Sequence, residues 1–295
     1  MTNLILFVAL LAPVLMGLGV LLVWRFFLRD KRRSPLTFKV LNLPGESLLR
    51  GIEKHDEGYY EKAGILMLVG PVVLSAWLLA RMDRVVDDWT AIQFGKSDAL
   101  FALVGIAAFV WAVVGLIRHL RERRKYRDGR GAELAVAQAL MPLMADGALI
   151  YHDFPGDKFN IDHIVIGGGA VFAIETKSRR KPRGGGKDSA RVDYDGARLK
   201  FPSHVETKPI EQAHRQAQWL EKFLGSGVGE PVRVIPLVAL PGWYVQSRVQ
   251  RPDVLVSNCH NSSFMMTRSF GPPMSPAMRK RIAHVLTERY PQMES

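Results

Sequence analysis

Cysteine is almost absent from this chain: Cys259 stands alone among 295 residues. A single thiol excludes an intrachain disulfide framework and a cysteine-rich zinc site, and it fits a reducing compartment. Its neighbour His260 does not bring the pair near a zinc-binding pattern. Positive charge is missing from the opening Met1-Thr2-Asn3, so the start lacks the basic region of a secretory signal. No internal repeat is evident. Acidic residues are the scarcer charge, 28 Asp and Glu against 40 Lys and Arg, for a formal net charge of +12. Such an excess points to a polyanionic partner, nucleic acid or anionic lipid, although part of it serves as a membrane-topology signal.

Long apolar runs are what the first half does have. Leu4 to Trp24 carries no charge and is long enough to cross a hydrocarbon core of roughly 30 Å. Arg25, Arg29, Lys31, Arg32 and Arg33 follow it, which predicts an uncleaved anchor with its amino terminus outside. Ser34 to Lys62 reads as a polar connector with a short helix around Glu46 to Lys54. Ala63 to Ala80, with Gly70-Pro71 inside it, and Ala99 to Ile117 are two further runs near the short end for spanning. They are read as a membrane hairpin, with buried soluble helices as the competing reading. The loop between them is nearly charge-balanced, whereas the stretch after Ile117, RHLRERRKYRDGR, is densely basic. That asymmetry places the following domain in the cytoplasm. The basic stretch could also hold nucleic acid, but topology and anionic headgroups account for it more simply.

From Gly129 onward the composition becomes that of an α/β domain. Gly131 to Met144 has helical apolar spacing with Glu133 in its first turn. Ala148 to Phe154 reads as a strand. Ile161 to Ile166 and Ala170 to Ile174 form two more, joined through Gly167, Gly168 and Gly169. Val192 to Phe201 suggests a short hairpin turning at Asp195-Gly196. Pro209 to Leu224 predicts a helix opened by proline, with Ala213, Ala217, Leu220 and Leu224 on one face. Val232 to Leu240 is expected to be a strand inside the sheet, Asp253 to Ser257 another, and Ser275 to Arg289 a closing helix.

The chemistry concentrates between Asn160 and Lys177. Asp162 stands at the start of one strand, and Glu175 and Lys177 at the end of the next. Side chains two apart on a strand share a face, so Glu175 and Lys177 project together while Thr176 points away. A hairpin that brings Asp162 beside them makes a site for a hard divalent cation and a water molecule. Phosphodiester cleavage needs that combination: an activated water, neutralised phosphoryl charge and a stabilised leaving oxygen. Mg²⁺ or Mn²⁺ on Asp162, Glu175 and the Thr176 carbonyl would supply the first two, and Lys177 would orient or deprotonate the water and stabilise developing negative charge. Arg179, Arg180, Lys181, Arg183 and Lys187 follow in a basic, glycine-rich loop placed to clamp phosphates. By alternation His163 points away from Asp162 and is expected to pack or hydrogen-bond elsewhere. His214 and Trp219 are expected on the surface and in the core of their helix. The plain alternative is a solvated strand edge with an ordinary Glu-Lys pair.

Four features together carry a resemblance: Gly131-Ala132-Glu133, the Ile161-Asp162-His163 strand, the Glu175-Thr176-Lys177 strand, and the helix opening Pro209-Ile210-Glu211-Gln212. In this order they resemble the nuclease-related domain (NERD) family of the restriction-endonuclease-like PD-(D/E)xK superfamily, over about Asp128 to Leu240. One residue separates Gly131 from Glu133 where the family pattern has the two adjacent. The resemblance implies Asp162 and Glu175 as metal ligands, Lys177 as the catalytic lysine, and Glu133 and Gln212 as accessory groups.

The expected fold is therefore α/β, a restriction-endonuclease-like mixed sheet flanked by helices. An all-α membrane region of about three transmembrane helices precedes it. The expected organisation is a first span with basic flank (1–33), a connector (34–62), a helical hairpin (63–117), a basic linker (118–128) and the nuclease-like domain (129–295). The expected activity is Mg²⁺- or Mn²⁺-dependent hydrolysis of nucleic acid, DNA ahead of RNA, at a bacterial inner membrane. Two other readings stay open: a catalytically silent nucleic-acid-binding module, and a scaffold whose basic segments engage the lipid bilayer.

Overall fold

The computed structural model describes residues 39–40, 42–85, 95–182, 184, 186–290 and 293–294. The first apolar run, its basic flank, the loop 86–94 and Arg183 lie outside the described residues. The chain divides into two compact units, one comprising 1–35 and 52–124, the other 36–51 and 125–295.

After a two-residue strand β1 (Lys39–Val40), helix α1 (Glu46–Val85) opens on Glu46 and continues for 40 residues. The expected short helix around Glu46 to Lys54 is thus only the beginning of α1, and the connector ends where α1 starts. Pro71 lies inside α1 without ending it. Helix α2 (Lys96–Leu140) is likewise unbroken across the apolar run, the basic stretch and the turn bearing Glu133. The separate helix expected from Gly131 is a continuation, so its start needs no cap. Gly129 and Gly131 cost about 1 kcal/mol each against alanine in a helix interior, too little to stop a 45-residue run.

In the first unit, α1 and α2 each contain a stretch long and apolar enough to cross a membrane. These are two candidate spans among the described residues, matching the second and third expected; the first expected run lies outside them. Only 6% of each apolar window is buried against protein, which sets both apart from the core helices of a soluble fold. Two polar contacts stand inside this unit. Trp77 Nε1 donates to Asp98 Oδ1 at 2.6 Å, and the Lys62 ammonium lies 3.9 Å from the centre of the Trp111 ring.

The second unit is built on a five-stranded mixed sheet. Its strands are β2 (Leu149–Pro155), β3 (Asn160–Ile166), β4 (Val171–Thr176), and, after the smaller-sheet strands β5 (Arg191–Tyr194), β6 (Leu199–Lys200) and β7 (Val205–Glu206) and helix α3 (Lys208–Val228), β8 (Val234–Ala239). Strand β9 (Tyr244–Ser247) belongs to the smaller sheet, and β10 (Leu255–Ser257) completes the larger. Helix α4 (Pro276–Arg289), capped by the Ser275 hydroxyl, and β11 (Met293–Glu294), which pairs with β1, close the chain. The large sheet runs β10-β8-β4-β3-β2, antiparallel through β2, β3 and β4 and parallel from β4 to β8 and β8 to β10. The smaller runs β7-β6-β5-β9.

Three layers result. Val171 and Ala173 face Ala217, Leu220 and Leu224 of α3 and Ile282 and Leu286 of α4. The alternate residues Phe172 and Ile174 face Val136 and Leu140 at the end of α2, with Met265. This two-sided burial is why β4 reads as an almost continuous apolar run. The glycines between β3 and β4 serve close approach, since none of the three has a positive φ. A Cβ on Gly167 or Gly168 would run into the Met265 or Met266 carbonyl oxygen.

Candidate active site

Strand β4 enters the middle of the sheet buried throughout, and its last residues emerge into a cavity of about 710 Å³. Glu133, Asp162, Glu175, Thr176 and Lys177 all line it. The predicted group therefore comes together from α2, β3 and β4. The Glu175 carboxyl is buried, and each oxygen has a partner. Lys177 Nζ donates to Oε1 at 2.5 Å, and Gln216 Nε2 donates to Oε2 at 2.7 Å. Lys177 also donates to Gln212 Oε1 at 3.0 Å, which places Gln212 at the site.

Asp162 reaches the cavity through a break in the sheet. The β2–β3 ladder pairs His152 with His163 and Phe154 with Ile161 but skips the position between them, Asp153 opposite Asp162. There Asp153 takes a left-handed backbone, φ 46°. The β3–β4 ladder also stops at His163 opposite Ile174. In its place Asp162 Oδ2 accepts from the Thr176 backbone N–H at 2.6 Å. A side chain has taken over where the main-chain ladder ends, a device common where a strand must re-aim a functional group.

The electrostatics are those of crowded acids. Burial, then repulsion from Glu175 and Glu133, raises the Asp162 carboxyl well above the usual carboxylate range. Asp162 keeps some exposed surface as a residue, but its carboxyl sits deep among protein atoms. Burial, then Asp153 and Glu175, pushes Glu133 up to about 7. Glu133 Oε2 is buried with no hydrogen-bond partner. An orphaned carboxylate oxygen beside two other acids calls for a cation or a proton.

The donors present fit a hard divalent ion. Among the described residues no three His, Cys, Asp or Glu side chains stand close enough to form a complete metal group. Mg²⁺ does not require one, because it keeps several waters and is held through one or two carboxylates. Asp162 and Glu175 would supply the direct oxygens and the Thr176 carbonyl another. The Thr176 hydroxyl is buried and unpartnered.

The five basic residues expected to clamp phosphate are placed less simply. Arg179 and Arg180 line the cavity, but Arg179 makes a two-pronged pair with Glu206, both bonds 2.7 Å, and Arg180 is paired with Asp128. Lys181 lies outside the lining, 6.0 Å from the Trp243 ring centre. Arg183 is outside the described residues, and Lys187 falls in a short turn, Lys187–Ala190. Lys125 and Lys158 line the cavity instead. His163 does point elsewhere: fully buried, it meets His152 Nδ1 to Nδ1 at 2.8 Å, and burial pushes its pKa down to about 3. His214 is exposed, while Trp219 is half-buried and stacks on Phe223.

Two contributors went unread in the sequence. Gln216 sits one helical turn after Gln212, within the buried stripe of α3, and its spacing was the available signal. The start of α1 was the other: Ser47 and Leu48 line the cavity, and Ser47 reaches Asp153 from 106 positions earlier, a relation no local pattern reveals.

Residues 128–241 match the family model described as "Nuclease-related domain", NERD. No curated protein and no solved structure matches the chain.

Proposed function

From a chain whose residues 128–241 belong to the nuclease-related domain family, we propose a metal-dependent nuclease that hydrolyses phosphodiester bonds and is held at a membrane by its apolar helices. DNA stands ahead of RNA as substrate on the family resemblance alone. The observation that carries the reading is the meeting of Asp162, Glu175 and Lys177 in one cavity, from two strands that end beside each other.

A divalent cation at Asp162 and Glu175 supplies charge neutralisation and a more acidic water. The remaining roles belong to the chain. Lys177 donates two of its three ammonium hydrogens to Glu175 and Gln212, leaving the third for a phosphoryl oxygen. Gln212 and Gln216 hold Lys177 and Glu175 in register from α3. Lys125 and Lys158 at the cavity margin suit a polyanion.

Basic residues after the first and third apolar runs, against a nearly charge-balanced loop after the second, orient the nuclease domain towards the cytoplasm, with the amino terminus outside and a bacterial inner membrane as the location. A second reading, a silent nucleic-acid-binding module, draws on one observation: both Glu175 oxygens are already occupied by protein donors.

The test is cleavage of circular, linear and single-stranded DNA by the full chain in detergent, with and without Mg²⁺ or Mn²⁺. Lys177→Ala and Asp162→Ala are each expected to lower kcat by on the order of a hundredfold or more. Equal cutting by either variant, or no cutting by the wild type with either metal, overturns the nuclease. DNA binding without Mn²⁺ uptake establishes the silent module instead.

A further inference from the structure

Among the described residues none of the smaller sheet lines the catalytic cavity, yet that sheet is fastened to the cavity's rim. Arg179, which lines the cavity, pairs with Glu206 of β7, and its carbonyl accepts from the Trp243 indole N–H at 3.1 Å. Trp243 stands directly before Tyr244, the first residue of β9. Lys181 lies over the Trp243 ring, 6.0 Å from its centre. In register Tyr244 sits beside Arg191, the first residue of β5, so this row is the part of the sheet that adjoins the cavity rim.

The sheet has two unlike faces. Val192, Tyr194 and Leu199 point inward and pack with Val238, Leu240 and Trp243. The alternate positions point outward: Arg191 and Asp193 on β5, Lys200 on β6, Val205 on β7, and Tyr244 and Gln246 on β9. Tyr244 is 64% exposed and Val205 55%, and Lys200 is exposed as well. Arg248, just past the end of β9, reaches the same carboxylate as Arg191: Asp193 accepts from Arg191 Nε at 3.3 Å and from Arg248 Nη2 at 3.4 Å. Two guanidiniums thus share one acid, and Lys200, opposite Asp193 in the ladder, adds a third cation. Positive charge is left over on a face whose one large ring lies bare.

We propose that this outer face is a docking surface for single-stranded nucleic acid entering the catalytic cavity: Arg191, Lys200 and Arg248 hold phosphates, and a base stacks on Tyr244. The inference rests on the nuclease reading above and names the form of substrate that its site takes. Cations that track a backbone, beside a ring that offers its face to a base, are what single-strand recognition requires. A duplex keeps its bases stacked inside, so a bare ring adds little to its binding, whereas a single strand has base faces to spare. The long, exposed pairs to Asp193 are of the weak kind, readily exchanged for phosphate oxygens. An anionic lipid headgroup would meet the same cations but would leave Tyr244 without a stacking partner.

The experiment uses the full chain in detergent, with a single-stranded oligothymidylate as the probe and divalent ions chelated, so that binding is read without cleavage. Lys200→Gln combined with Arg248→Gln is expected to flatten the plot of log K against log salt by about 0.7 for each cation removed. With Mn²⁺ present, the same double variant should raise KM for single-stranded DNA about tenfold at unchanged kcat. Tyr244→Leu should weaken the oligothymidylate about tenfold and duplex DNA less than about twofold, and Tyr244→Phe should bind as wild type, because the ring face does the stacking. An unchanged salt slope in the double variant overturns the inference. So does an equal Tyr244→Leu loss on single strand and duplex, or a Tyr244→Phe variant as weak as Tyr244→Leu. If the variants lose binding to vesicles of anionic phospholipid and keep the oligothymidylate, the face is a headgroup surface and the inference falls. A wild-type chain that cuts nothing while these variants lose the oligothymidylate removes the nuclease reading alone and supports the surface; a chain that cuts, with variants that bind and cut as wild type, removes the surface alone.

Discussion

Metal uptake by this site should be steeply dependent on pH, and the structure gives both sign and size. Glu133 titrates near 7 in the fold against 4.5 for the free side chain, and Asp162 is raised in the same direction. Both shifts come first from burial and then from neighbouring carboxylates. An acid whose folded pKa is raised binds more protons folded than unfolded. Its contribution to stability is therefore greatest below the unfolded value and falls as pH rises through the folded one. For Glu133 the window is about 4.5 to 7, and the loss across it is of order 3 kcal/mol at 1.36 kcal/mol per unit. A cation bound among these acids removes the repulsion and expels the protons, so its affinity rises over that window by up to about tenfold per pH unit for each proton released.

The assay is Mn²⁺ titration of the full chain from pH 5.5 to 8, repeated in two buffers of different ionisation enthalpy to count released protons. Roughly one to two protons are expected at pH 6. Without divalent ions, the domain should unfold more readily at pH 7.5 than at pH 5.5, and saturating Mn²⁺ should narrow the difference. An affinity flat across this range, or uptake with no proton release, would refute the argument that these acids are crowded and share the ion.

Gln216→Leu removes the donor to Glu175 Oε2 and to the Asn160 carbonyl, 2.7 and 3.1 Å away. A hydrogen bond to a buried charge contributes about 1.5–3 kcal/mol. Chemical denaturation should therefore show a loss of that size, with weaker Mn²⁺ binding; a loss under about 0.5 kcal/mol would show that Glu175 finds another donor. Gly168→Val sets a side chain against the Met266 carbonyl. Loop backbone must then shift, at a cost expected near 1–3 kcal/mol in the melting of the second unit, with the site's Mn²⁺ affinity little changed.

The elements that were legible in the sequence are those whose signal is local. Strands β3 and β4 announce themselves by two apolar runs around three glycines, and α3 by its proline start and apolar stripe. Glu175 and Lys177 follow directly, because two residues on one strand share a face whatever the rest of the chain does. Gln212 follows less directly, since only the packing of α3 on β4 brings it to Lys177. The expected basic clamp fared worst for the same reason. A run of arginines gives no sign of which acids will meet it, and Glu206 and Asp128 come from β7 and α2.

Helix continuity was illegible for a different reason. Gly129, Gly131 and the change from apolar to charged composition all look like boundaries, yet none breaks a backbone hydrogen bond as proline does. Composition marks a change of environment along α2 and says nothing about its end. The same blindness hid the turn before α1. Pro44 and Gly45 read as a plain connector, and only the folded chain shows Gly45 against Arg130 and Ser47 on Asp153. An acid on β2 that looked like one more polar residue, Asp153, then becomes the link between that turn and the gap in the ladder from which Asp162 emerges. Of these crowded carboxylates, Asp153, Asp162 and Glu175 each have at least one donor, drawn from the start of α1, β3, β4 and α3, while Glu133 keeps one oxygen buried without a partner. Apart from Lys177, two residues beyond Glu175, these donors come from outside each acid's own strand, and a site so dependent on distant segments could not have been completed from the β3–β4 hairpin alone.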